Sequence, residues 1–191
     1  MAPRAMLTDP ICRCHTFYVE RRTVLATRRL FVTTWVPGDA HDLHELHSNP
    51  STMRFVGPGR PENREEIDSR LASYLNEQRS RGWTKWRVQT TAGTMIGRAG
   101  FGVYGSNREL GYTLRPDFWG YGLASELADA LVRWHIENVD RNAPLDLWAY
   151  AAVENTASRR VLEKVGFDLI DHRDHHGTQC AFYVLKHPSQ L

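Results

Sequence analysis

The 191-residue sequence predicts an α+β domain built on a central mixed sheet. Three observations carry this expectation. Short β-patterned runs recur along the chain and are separated by Gly, Pro, Asn and Asp clusters. A strong helical period, Leu123, Leu127, Ala130, Leu131 and Trp134, lies between two strand-like runs. A second such segment, Asn155 to Val165, is followed by Gly166 in a C-terminal capping position and then by two further strands.

The elements follow in order. Residues 1–22 have no clear period and are expected to form an extended N-terminal arm, leaving 23–191 as a single domain. Arg29 to Thr33 reads as a first strand closed by Pro37-Gly38. Asp39 is placed to cap a short helix carrying Ala40, Leu43 and Leu46. A longer helix fits Glu62 to Arg79, with Pro61 at its start, Ile67, Leu71, Tyr74 and Leu75 on one face, and Gly82 past its end. Trp86-Arg87-Val88 and Met95 to Val103 flank the turn Thr91 to Thr94. Ser106-Asn107-Arg108 makes the next turn, into the strand Glu109 to Leu114. On that strand Leu110, Tyr112 and Leu114 share one face, and Glu109, Gly111 and Thr113 the other. Asn138 and Pro144 end the central helix, Leu145 to Tyr150 reads as a buried strand, and the last strands lie near 167–170 and 181–185.

Composition excludes several function classes. A formal net charge of +2 gives no electrostatic case for nucleic acid or an anionic membrane surface. No apolar stretch is long enough to span a bilayer, and Asp9, Arg13 and His15 interrupt anything resembling a secretory leader. Cys12 and Cys14 are too close for an unstrained bridge, and Cys180 stands alone in an apolar run. A reduced, cytoplasmic protein is the expectation. The pairs Arg21-Arg22 and Arg28-Arg29 read as solvated surface. His41, His44 and His47 drift around their helix, and His172, His175 and His176 read with Asp171 and Asp174 as a solvated hairpin, so no metal is expected.

The most informative segment runs from Tyr112 to Ala130. A strand enters a loop with Gly120, Gly122 and small Ala124, and the loop runs directly into an amphipathic helix. The first N–H groups of a helix lack internal partners and lie at the positive end of its dipole. Glycines remove the side chains that would hold a phosphate away from those groups. The string Gly120-Tyr121-Gly122-Leu123-Ala124-Ser125 is neither a Walker loop nor a dinucleotide fingerprint. Taken without context, the glycines equally suit a tight strand-to-helix turn.

Two longer strings supply context. Residues 110–126, Leu-Gly-Tyr-Thr-Leu-Arg-Pro-Asp-Phe-Trp-Gly-Tyr-Gly-Leu-Ala-Ser-Glu, resemble the coenzyme A-binding motif of the GCN5-related N-acetyltransferases, the GNAT superfamily. Asn155 to Phe167 resembles the second signature of its RimJ/RimL branch, the ribosomal-protein N-terminal acetyltransferases, and Leu25–Leu30 and Ile96–Gly100 also fit. The resemblance covers roughly residues 25 to 187. It implies a mixed, mostly antiparallel sheet, flanked by helices and splayed where the cofactor lies. It implies acetyl-CoA as co-substrate, its pyrophosphate held by the backbone of Gly120, Gly122, Leu123, Ala124 and Ser125 in the loop that includes Trp119 and Tyr121. The pantetheine arm would lie between the strand containing Tyr112, Thr113 and Leu114 and the strand 145–150. Trp119 stands where the superfamily usually has Gln or Arg. Asn155 and Ser158 fall nearest the thioester, although Asn155 also suits a helix N-cap and Ser158 the first turn.

By the same resemblance, a backbone N–H of Tyr112 or Thr113 would stabilise the carbonyl oxygen as it gains charge. Glu109 is the candidate general base, its alternative being a solvated turn residue beside Arg108. The tyrosine that protonates the leaving thiolate in many GNAT enzymes falls at Leu162, and Ser158 or water is left for that task. An α-amine has a pKa of about 7.7–8.0 against about 10.4 for lysine, so neutralising lysine at pH 7 costs about 3.4 kcal/mol more. That favours an α-amine on a peptide or protein over a lysine. A small amine such as an amino acid, polyamine or antibiotic is the second reading, and a non-catalytic acyl-CoA-binding module the third. Trp83 and Trp86 lie near a junction where acceptor sites form in this fold, core packing being the expectation for at least one of them, and Trp134 suits the core. A homodimer is compatible with the sequence.

Overall fold

The computed structural model describes residues 20–139 and 146–186. Cys12, Cys14, Pro144, Leu145 and the arm as far as residue 19 lie outside them. The chain runs β1 (Thr23–Ala26), β2 (Leu30–Thr33), α1 (Ala40–His47), α2 (Pro50–Met53), α3 (Arg64–Ser80), β3 (Lys85–Thr90), β4 (Met95–Tyr104) and β5 (Asn107–Leu114). It continues through α4 (Leu123–Glu137), β6 (Leu147–Ala152), α5 (Thr156–Lys164), β7 (Asp168–His175) and β8 (Thr178–Leu185). The eight strands form one sheet ordered β1-β2-β3-β4-β5-β6-β8-β7. Every neighbouring pair is antiparallel except β5 and β6.

Helices cover both faces. On one, α4 and α5 bury Leu127, Leu131 and Leu162 against Val88, Phe101, Leu110 and Tyr183. On the other, α1 and α3 bury Leu43, Leu46, Ile67 and Leu71 against Trp35 and Met95. Both Trp83 and Trp86 pack into the α4/α5 core, where Trp86 meets Phe101 and Trp134 edge-on. Both project to the face opposite α1 and α3, so core packing accounts for both.

Several boundaries differ from expectation for local reasons. β1 is a short edge strand that starts the sheet before Arg29. The Asp39 carboxylate does not cap α1. It accepts from the Val36 N–H and from Arg21 instead. Asn63, not Pro61, starts α3, in a reciprocal capping box with Glu66. This leaves Glu62 free to turn inward. The β4–β5 turn sits at Gly105-Ser106, where Gly105 has φ +58°, so Asn107 and Arg108 already belong to β5. A two-residue turn at His176-Gly177, both with positive φ, lets β7 run through His175. His172 and His175 are therefore strand residues, not turn residues.

Candidate active site

β5 and β6 are registered only at Arg108–Leu147 and Glu109–Trp148. Beyond that point β5 stays with β4 as far as Leu114, while β6 stays with β8 as far as Ala152. A wedge therefore opens in the middle of the sheet. Arg115 N–H donates to Ile96 O at 2.7 Å. Stepping back by two along an antiparallel ladder, the amides of Thr113 and Gly111 also face β4. Those of Tyr112 and Leu114 face the wedge.

The loop at the end of β5 has the geometry to receive an anion. Gly120 and Gly122 have φ of +81° and +73°, and Gly122 occupies the N-cap position of α4. A Cβ at Gly120 would meet nothing within 4 Å, so the backbone is open on that side. The first helical amide to close a turn is that of Glu126, which donates to Gly122 O. The amides of Leu123, Ala124 and Ser125 precede it, at the positive end of a fifteen-residue helix.

Side chains brace this loop from outside. Trp119 Nε1 donates to Leu114 O at 2.8 Å, and Arg29 Nη1 donates to Tyr121 O at 2.9 Å. Arg29 Nε also pairs with Glu126 Oε2 at 2.7 Å, and Glu126 Oε1 accepts from the Thr27 hydroxyl and the Arg29 N–H. Burial pushes the Glu126 carboxyl up, but these hydrogen bonds outweigh it and hold the group below the usual carboxylate range. Arg29 is thus a brace for the loop rather than a solvated cation. Its pattern in the sequence, a basic pair, carried no such signal.

Asn155 caps α5, its Oδ1 accepting from Ser158 N–H at 3.1 Å. Its side-chain amide nitrogen is not used by the cap. The Ser158 hydroxyl lies 2.9 Å from the Tyr112 hydroxyl, which reaches across from β5. Burial pushes the Tyr112 phenol up to about 12, so it is a protonated donor at neutral pH. Leu162, at the usual tyrosine position, is buried in the core. A tyrosine hydroxyl therefore stands beside Ser158, supplied by the sheet rather than by the helix.

Glu109 is no solvated turn residue. It lies within β5, 6% exposed, and its Oε2 is 2.9 Å from Lys85 Nζ of β3. Thr113 shares its face, while Tyr112 and Leu114 point toward α4 and α5. Across the wedge, Trp148 and Tyr150 of β6 stand on the Glu109 side. Burial first, and the Glu109 charge second, push the Tyr150 phenol up to about 12. Lys85 was not legible as a site residue, since a single lysine in a strand has no pattern. Among the described residues no group of three or more His, Cys, Asp or Glu side chains could hold a metal, and no helix is long and apolar enough to cross a membrane. An open cleft lies between Arg54-Phe55 after α2, Ala152 to Glu154 at the end of β6, and Gly177 to Gln179 of the last hairpin.

The sequence of residues 29–168 matches the family model described as an acetyltransferase (GNAT) domain. The chain is 25% identical over 148 residues to the uncharacterized N-acetyltransferase YoaA of Bacillus subtilis, covering 75% of this chain and 82% of the relative. A GNAT-family acetyltransferase from Bacillus anthracis superposes with a TM-score of 0.71 at 20% identity, covering 84% of this chain and 96% of the other. RimL, the ribosomal L7/L12 α-N-protein acetyltransferase, solved in complex with coenzyme A, gives a TM-score of 0.72 at 17% identity, with 86% and 97% covered. At these identities the structural similarity is one of fold. The family match spans most of the chain and includes the wedge, the glycine loop and α5, and the chain belongs to the GNAT acetyltransferases.

Proposed function

We propose that the protein transfers the acetyl group of acetyl-CoA to a primary amine, with the α-amine of a peptide or protein N-terminus as the preferred acceptor. One observation carries this reading: an open glycine-loop anion cradle at the mouth of a wedge that has an acidic side chain at its apex. The amides of Gly120 and Gly122 to Ser125 are assigned to the pyrophosphate, in the loop that Trp119 and Tyr121 complete. The wedge between β5 and β6 is assigned to the pantetheine arm, with the free Asn155 amide and the Leu114 backbone beside it.

In the reaction the amine nitrogen bonds to the thioester carbonyl carbon, and the C–S bond breaks. The Tyr112 N–H is the donor for the carbonyl oxygen, because the ladder turns the Thr113 N–H toward β4. Glu109, directly or through a water, takes the proton that the amine loses. The Ser158 hydroxyl, backed by the Tyr112 hydroxyl, donates to the departing thiolate. RimL acts on the α-amine of a ribosomal protein. The lower cost of neutralising an α-amine favours the same acceptor here. The assignment also takes 23–191 as one catalytic domain and the cytoplasm as its location.

The test compares peptides with a free N-terminus against the same peptides blocked there but carrying a free lysine. Released thiol gives the rate, and mass spectrometry locates the acetyl group. Faster N-terminal acetylation is expected. Acetyl found only on lysine, or only on non-peptide amines, would refute the acceptor assignment.

A further inference from the structure

Three cations, two on the sheet face beneath α1 and α3 and one on α3 itself, are each matched by a carboxylate. Lys85 has Glu109, Arg87 has Asp42, and Arg70 has Glu62. Arg98 of β4 has none among the described residues. It is 5% exposed, yet its one side-chain hydrogen bond runs from Nε to His47 Nε2 at 3.0 Å. Its guanidinium also lies 5.9 Å from the ring centre of Tyr74.

His47 does not neutralise it. Burial and the Arg98 charge push the imidazole down to about 4, so at neutral pH it is uncharged, accepting at Nε2 and donating from Nδ1 to Glu62 at 2.7 Å. Arg98, His47, Glu62 and Arg70 together hold two positive charges and one negative. A buried surplus cation is costly unless an anion joins it. Neither Nη atom of Arg98 hydrogen-bonds to a described residue, and neither is among the fully buried polar atoms left without a partner.

The position of this charge matters. Arg98 is the cross-strand neighbour of Thr113, on the face that carries Glu109. The charges of Glu109 and Arg98 both act on the Tyr150 phenol across the wedge, with opposite sign. The acceptor side of the sheet thus has an acidic end suited to an amine and a basic end suited to a carboxylate. An Arg guanidinium with both Nη groups free is the side chain best matched to that planar anion.

We propose that Arg98 is the carboxylate-binding end of the acceptor site, and that the preferred acceptor carries a carboxylate close to its reactive amine. This rests on the assignment of the Glu109 side of the wedge to the acceptor. The carboxylate has two sources: an Asp or Glu side chain at a peptide N-terminus, or the α-carboxylate of a free amino acid.

Calorimetry on the full chain saturated with coenzyme A tests it, without requiring transfer. The probes are two matched pairs: Asp-Ala-Ala-amide against Asn-Ala-Ala-amide, and free alanine against alaninamide. The carboxylate member of at least one pair is expected to bind at least about tenfold more tightly, and the pair that responds identifies the source. Arg98→Met should erase that preference while leaving coenzyme A affinity and binding of the neutral probe in place. Arg98→Gln, which keeps a donor for His47, should do the same if the first variant does not fold. Equal binding within both pairs, or a preference that survives in a folded variant, overturns the proposal. Arg98-dependent binding without any acetyl transfer would instead refute the transfer reading and leave this assignment standing. Transfer to peptides with no carboxylate preference would do the reverse.

Discussion

Lys85 Nζ and Glu109 Oε2 meet at 2.9 Å across strand β4, over two glycines that leave the floor of the site without side chains. A Cβ at Gly111 would come 2.6 Å from Lys85 Cε, and one at Gly102 would come 2.5 Å from Glu109 Oε2. The pair can lie flat against the sheet only because those positions are glycine. On the proposed assignment, an amine reaching Glu109 would share it with a cation already in place. The arrangement makes Lys85 a positioning residue for the proposed base.

That relationship gives a first prediction. Glu109→Gln is expected to lower the rate on the order of 10²-fold, with cofactor affinity nearly unchanged. Lys85→Met leaves a buried carboxylate without its cation, so the acid limb of the pH–rate profile should move to higher pH. Profiles of both variants that overlay the parent would return the pair to a purely structural role.

The glycine loop gives a second. Gly122 has φ +73° and ψ +8°, a conformation that Asp tolerates better than most residues. Gly122→Asp should therefore fold, yet place a carboxylate where phosphate is assigned and abolish acetyl-CoA binding. Trp119→Gln should keep most of the affinity, because the binding groups are backbone amides and half of the Trp119 surface is exposed. Near-normal calorimetric binding to a folded Gly122→Asp protein would remove the pyrophosphate assignment.

A third concerns the leaving group. Ser158→Ala should lower kcat by about 10- to 100-fold with little change in KM for acetyl-CoA. Tyr112→Phe should act in the same direction but more weakly, since it touches the thiolate only through Ser158. A rise in KM with kcat preserved would show that the hydroxyl pair binds cofactor rather than assisting departure.

What could be read from the sequence divides along a physical line. Local signals held: the Leu123–Trp134 period, the Asn155 cap, Gly82 and Gly166 past helix ends, and the Thr91–Thr94 turn all stand where their chemistry put them. The shape of the glycine loop was legible because adjacent residues set it: Gly120 and Gly122 both take positive φ, and α4 starts at Leu123. Pairings between distant residues were not. Arg29 and Glu126 are 97 residues apart, and nothing in either neighbourhood points to the other. Asp39 reads as a helix cap until Arg21 and the Val36 amide claim its carboxylate. Glu62 reads as a helical residue until Asn63 takes the cap and frees it to meet His47 and Arg70. The tyrosine absent at Leu162 looked like a missing acid, yet a hydroxyl arrives beside Ser158 from another element.

The last prediction concerns stability. His47 is fully buried, and burial followed by the Arg98 charge lowers its pKa from 6.5 to about 4. The unfolded chain therefore binds a proton at higher pH than the folded protein does. This contribution is fully present above pH 6.5 and is lost as pH falls from 6.5 toward 4. A difference of this size corresponds to about 3 kcal/mol, of which about 2 kcal/mol is gone by pH 5. His47→Gln removes the titrating group while keeping an acceptor for Arg98 and a donor for Glu62. Urea unfolding of both proteins at pH 7 and pH 5 isolates the effect, because ionisable groups not in contact with residue 47 cancel in the comparison. The parent should lose about 2 kcal/mol more than the variant over that interval. Parallel losses would mean that the buried imidazole takes up its proton as readily as an exposed one, which its contact with Arg98 is expected to prevent.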